Sequence, residues 1–264
     1  MWFDYSTGCI YIKGFFVKRN AKKVNKINFN YNIFSFFTDK LKEFISFSCE
    51  FVREVCMTKK EIAKNAVDAL IKEYPEALCS LDYKDPFQLL VATRLAAQCT
   101  DARVNLVTPA LFERYPDVYA MSKAQTGDVE KLIHSCGFYR TKAIDLIEMS
   151  KSIIENYGGT VPDTIEALTS LRGVGRKTAN LIVGDIYHKP AVVVDTHCIR
   201  ITRRLGLHTE KSPEKIERIL RDLLPPEESN DFCHRLVLHG RAVCKAPKPQ
   251  CENCCMADFC KKNI

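Results

Sequence analysis

The chain has 264 residues, room for one large domain or two modest ones and enough to bury a core. Its formal net charge of +7 favours an anionic partner, though weakly. There is no secretory signal with a cleavage site and no apolar run long enough to span a bilayer. The chain reads as an intracellular protein, in which the 13 cysteines are metal ligands before disulfides.

Residues 1–56 differ from the rest. They hold about half of the aromatic residues and a single alanine, Ala21, and FNYNIFSFFTDKLKEFISF keeps no stable period. The segment is expected to be a disordered extension, or translated upstream sequence with the functional chain starting at Met57. The abrupt change of composition favours the second. It carries +4 of the net charge, so a nucleic-acid reading of the remainder must rest on where its charges sit.

From Met57 the chain is orderly and helical. TKKEIAKNAVDALIKEYP opens with Thr58 and Glu61 spaced as a capping box, and Ile62, Ala66, Ala69 and Leu70 share a face. DPFQLLVATRLAAQCTD is expected as one helix, capped by Asp85 with Pro86 in its first turn. VNLVTPALFERYP, TGDVEKLIHSCG, YRTKAIDLIEMSKSIIENYGG and TIEALTSL follow. KTANLIVGDIYH, THCIRITRRLGL, PEKIERILRDLLP and SNDFCHRLVLHGRAVC complete the series. The one strand-like run is AVVVD at 191–195. The fold class is all-α with short connections.

Two constellations carry chemistry. At the C-terminus Cys244, Cys251, Cys254 and Cys260 have the spacing C-x6-C-x2-C-x5-C. Four thiolates in one compact loop suit a single metal centre, and this spacing favours an iron–sulfur cluster over zinc. Cys255 falls outside the pattern. Lys245 and Lys248 lie on the loop between the first two cysteines, where they suit phosphate as well as solvent. Cys79, Cys99, Cys136, Cys198 and Cys233 read as packing residues in helical stretches.

The second constellation is LRGVGRKTAN, a four-residue turn between two helices. Gly173 and Gly175 permit positive φ and close backbone approach, and the helix that follows offers free N–H groups to a phosphate. A nucleotide-binding loop does not fit, because GVGRKT lacks the required spacing and no strand precedes it. Lys177 sits in that helix's first turn. The macrodipole, the neighbouring Arg176 and the expected desolvation all disfavour its ammonium, which makes it a candidate Schiff-base nucleophile. Asp195 follows an apolar run and precedes a helix. It reads either as an N-cap or as a carboxylate that stabilises positive charge on a sugar.

LRGVGRKTAN, VVVDTH, FCHRLVLHGRAVC and the cysteine loop together resemble the endonuclease III family, bacterial base-excision DNA glycosylases with AP-lyase activity in the helix-hairpin-helix superfamily. The resemblance covers 57–264 and none of 1–56. It implies two lobes: a six-helix barrel over about 79–190 with the hairpin, and an iron–sulfur lobe from 57–78 and 191–264. It implies a [4Fe–4S] cluster on Cys244, Cys251, Cys254 and Cys260, and catalysis by Lys177 with Asp195. The substrate would be double-stranded DNA with a damaged pyrimidine or abasic site, bound by a cytoplasmic, nucleoid-associated monomer with no membrane contact. Gly173, Gly175, Arg176, His197, Lys245 and Lys248 are implied DNA contacts. Gln98, in AAQCTD, and Phe138 stand where the family inserts side chains into the duplex.

Arg172 departs from the family, which has proline there; it is expected to add a cation near the phosphate. Cys255 is unusual, either an alternative ligand or an oxidation-sensitive thiol. The adenine- and thymine-mismatch glycosylases share much of this pattern, but Lys177 argues against both. A non-catalytic DNA-binding module with a redox cluster is the alternative from another class.

Overall fold

The computed structural model describes residues 2–4, 9–12, 15–17 and 57–262. Residues 1–55 and 56–264 form two separate compact units. In the first, β1 (Trp2–Asp4), β2 (Cys9–Ile12) and β3 (Phe15–Val17) make an antiparallel sheet in sequential order, with Phe3 opposite Ile10 and Tyr11 opposite Phe16. These strands were not anticipated by the reading of a disordered or non-native start. The rest of that expectation lies outside the described residues.

The second unit is helical. Its elements are α1 (Lys59–Glu73), α2 (Pro86–Ala96), α3 (Asp101–Arg114), α4 (Val118–Ser122), α5 (Thr126–Ile133) and α6 (Tyr139–Tyr157). They continue as α7 (Ile165–Thr169), α8 (Arg176–Asp185), α9 (Thr196–Leu205), α10 (Pro213–Leu223) and α11 (Ser229–Ala242). Local chemistry sets the starts. Thr58 and Glu61 close the expected capping box, and Asp85 accepts from the Gln88 N–H at 2.9 Å with Pro86 at the first position. Glycines set two of the ends: Gly158 and Gly206 adopt φ of 60° and 85°.

Two expectations fail locally. The helix expected through 85–101 stops at Ala96, because Gln98 turns left-handed (φ 54°) and Thr100 caps a new helix. AVVVD forms no strand. It is a buried extended segment whose N–H groups find side chains: Ala191 donates to Ser229 Oγ at 3.2 Å and Val192 to Asn180 Oδ1 at 3.3 Å.

Buried apolar residues fall into two clusters. One runs from Leu81 to Ala191 and draws on α2 through α8. The other joins Ile62, Ala66 and Leu70 of α1 to residues from Val192 to Met256. The chain passes from one to the other between Ala191 and Val192, four residues before Asp195.

Candidate active site

The glycine turn separates α7 from α8. Gly173 has φ +78°, as expected, and a Cβ there would lie 2.7 Å from Arg94 Nε and 3.1 Å from Asp145 Cβ. Gly175 differs from the expectation. It caps α8 in an extended conformation with φ −93°, and open space surrounds the position of its missing Cβ. One glycine thus serves the turn, and the other leaves the backbone open to solvent.

The two arginines of the turn are held by carboxylates. Arg176 forks onto Glu217 of α10, with Nε to Oε2 at 2.6 Å and Nη2 to Oε1 at 2.9 Å. This bidentate pair ties α8 to α10, so in the protein without DNA the Arg176 side chain is held by a carboxylate. Arg172 Nε donates to Asp145 Oδ1 at 2.8 Å, and Arg94 of α2 donates to Oδ2 of the same buried carboxylate at 3.0 and 2.5 Å. Arg172 therefore braces the turn against α6, which a free cation would not do.

Lys177 is exposed in the first turn of α8, so the burial anticipated for its ammonium is absent in the protein without DNA. Asp195 is the N-cap of α9 and accepts from the Cys198 N–H at 2.7 Å. It is also more than a cap. Lys177 and Asp195 line one cavity of about 380 Å³, together with His197, Asp101, His234 and Arg241. That volume suits a small ligand such as a single nucleoside. Asn180 sets the register between the two walls. Fully buried, it donates to Arg176 O at 3.1 Å, and its Oδ1 accepts from Val192 N and from Arg221 Nη2.

His197 is half-buried, and Arg200 Nη2 lies 3.1 Å from its Nδ1. Burial holds its imidazole below the ordinary value, and Asp195 opposes this while Arg200, Arg241 and Lys177 reinforce it. Gly240 makes room for the ring, since a Cβ there would lie 2.3 Å from Nδ1. Gln98 and Phe138 are both exposed and left-handed, with φ of 54° and 49°. Sequence reasoning missed Asp101 and Arg241, whose ion pair of 3.2 Å stands at the cavity, with Ser80 Oγ donating to Asp101 at 2.5 Å. It also missed Cys79 and Cys99, which line the cavity from outside the helices. No periodicity marks such residues.

The family model for HhH-GPD superfamily base excision DNA repair proteins matches residues 91–226. An endonuclease III from Synechocystis sp. is 48% identical over 204 residues, covering 77% of this chain and 93% of that protein. The Escherichia coli endonuclease III is 36% identical over 187 residues, covering 71% and 89%.

The chain belongs to the endonuclease III family.

A solved structure of a non-covalent endonuclease III–DNA complex superimposes with a TM-score of 0.73 at 39% identity, covering 78% of this chain and 97% of that one. A trapped endonuclease III–DNA covalent intermediate matches equally well. A thermostable thymine-DNA glycosylase at 23% identity and TM-score 0.67 shares the fold.

The family signature of four cysteines occupies one place. Cys244, Cys251, Cys254 and Cys260 line a single cavity, closed on the α9 side by Ile201 and Leu205. Arg204 donates to Cys244 Sγ at 3.2 Å and to Lys245 O at 2.9 Å, and Arg200 donates to Cys244 O at 3.0 Å. Four thiols on one apolar-walled cavity are the donor types an iron–sulfur cluster takes, but among the described residues no three or more such side chains are gathered closely enough to hold a metal ion. Cys255 does not line this cavity, and burial pushes its thiol up to about 11. That suppresses the thiolate an oxidation-sensitive cysteine needs. Lys245 and Lys248 stand exposed on the loop between the first two cysteines.

Proposed function

We propose that the protein is a base-excision DNA N-glycosylase that removes oxidised pyrimidines and cleaves the resulting abasic site on its 3′ side by β-elimination. The observation that carries the reading is the meeting of Lys177 and Asp195 on one nucleoside-sized cavity. DNA lies in the cleft between a barrel lobe, about 79–190, and a lobe built from 57–78 and 191–264. The lesion is flipped out because C1′ is inaccessible within the stack. Gly175 and the first N–H groups of α8 receive a phosphate, and Lys245 and Lys248 receive another. Gln98 and Phe138 enter the space the nucleotide leaves. His197 stands beside the cavity as a neutral donor or acceptor.

The chemistry follows from these positions. The Lys177 amine forms a bond to C1′ as the glycosidic bond breaks, and that electron pair leaves with the base, which takes up a proton. Asp195 stabilises the positive charge that builds on the sugar. Ring opening, with a proton passing from the nitrogen to O4′, yields an imine; the C2′ proton passes to water, and the C3′–O bond breaks with its electrons leaving on the phosphate. Water then releases Lys177. Cys244, Cys251, Cys254 and Cys260 would hold a [4Fe–4S] cluster, which would fold the C-terminal loop around one centre. The covalent intermediate named for the solved relative supports an imine route.

Borohydride reduction tests this. A duplex with thymine glycol should give a covalent protein–DNA adduct, and Lys177→Ala should give none. Folded protein that binds the duplex but is never trapped would sink the lyase assignment.

A further inference from the structure

Lys142 of α6 is 1% exposed, yet it is a lysine, and the mechanism above does not use it. Its Nζ donates to Leu95 O at 2.8 Å and to Cys136 O at 2.6 Å. These are carbonyls at helix ends. Leu95 lies in the last turn of α2, and Cys136 closes a 3-10 turn. Each leads at once into an exposed left-handed residue: Gln98 three positions on, Phe138 two positions on. Among the described residues only four non-glycines have positive φ, and these are two of them. Such backbone is strained and persists only where its surroundings over-determine it. Burial of a lysine is costly, and here it lowers the ammonium's pKa. An apolar residue would fill the space at less cost, so the side chain is retained for its donors.

We propose that Lys142 is a positioning residue that locks the Gln98 and Phe138 loops into one rigid pair of wedges, so that both enter the duplex together. The inference rests on the wedge reading above. The ammonium bridges two segments 41 residues apart in sequence, which no local turn could hold in register. One turn along α6, Asp145 grips Arg94 of α2, so the same helix holds α2 at two points.

Lys142→Met removes both donors and keeps the length and apolar stem. On a duplex abasic substrate its single-turnover lyase rate should fall on the order of 10-fold, since small misplacements of positioning groups have effects of at least this size. The fluorescence rise of 2-aminopurine placed opposite the lesion, a direct readout of unstacking, should fall with it. In a Gln98→Ala/Phe138→Ala background the same substitution should change the rate less than about twofold, because residues acting through one another do not add. Lys142→Gln, whose shorter amide can reach only one of the two carbonyls, should give an intermediate loss and serves if Lys142→Met does not fold. An unchanged rate and fluorescence, or an equal loss in both backgrounds, would overturn the proposal while borohydride trapping of the wild type still stood. A wild-type protein that never traps would overturn both.

Discussion

Asp145 is one carboxylate holding three pieces of chain. It takes Arg94 from α2 and Arg172 from the glycine turn while itself belonging to α6, and its side chain is 6% exposed. Arg172, expected as a cation for phosphate, therefore compensates for the missing proline in another way: an ionic brace replaces a stiff ring. Removing one partner of a buried pair leaves the others uncompensated, which is the costly case. Asp145→Asn is expected to lower stability by about 3 kcal/mol, nearer the low end of that range because Arg172 is half exposed. Urea denaturation measures it. A change indistinguishable from zero would mean that water already serves these guanidiniums. Lys177 and the four cysteines could be singled out as candidates in the sequence because their proposed chemistry depends on residue type and local spacing. Asp145 was not, since an aspartate in a helix has many solvated fates and its partners lie 51 and 27 residues away.

Helices α1 to α11 were largely legible because caps and apolar spacing are local. The short helix α4 was not anticipated, and elsewhere a single residue or segment departed from propensity. Gln98 breaks an otherwise helical stretch, and AVVVD, for all its β-branched residues, pairs with no strand among the described residues. The glycine turn separates these two kinds of information. Gly173 is required by the turn's own backbone and by its contact with Arg94, whereas a Cβ on Gly175 would meet nothing within 4 Å among the described residues. Gly173→Ala should therefore cost about 1–3 kcal/mol in stability, through a left-handed φ and a Cβ pressed on Arg94. Gly175→Ala should leave the melting temperature nearly unchanged, yet weaken duplex binding by standing a methyl group where a phosphate approaches. Thermal melts and fluorescence anisotropy on one DNA separate the two. Equal thermal losses for both variants would contradict the assignment.

At the scale of the whole molecule, both sites arise where distant segments meet. The nucleoside-sized cavity needs α8, the segment before α9, and α11 together, and the thiol cavity needs α9 and the C-terminal loop. The sequence supplied the four cysteines, but not the fact that Arg200 and Arg204 of α9 reach across to the Cys244 carbonyl and sulfur. Those contacts make the loop part of the second core, so a cluster bound there links folding of the C-terminus to α9. Serine substitutions divide the five nearby cysteines. Cys255→Ser should retain iron, the visible absorption of the cluster and the melting temperature, because that thiol lies off the cavity. Cys254→Ser, its immediate neighbour on the cavity wall, should lose the visible absorption and melt earlier, with proteolysis entering first between residues 244 and 262. Equal iron loss in the two variants would place Cys255 among the ligands and break the C-x6-C-x2-C-x5-C assignment.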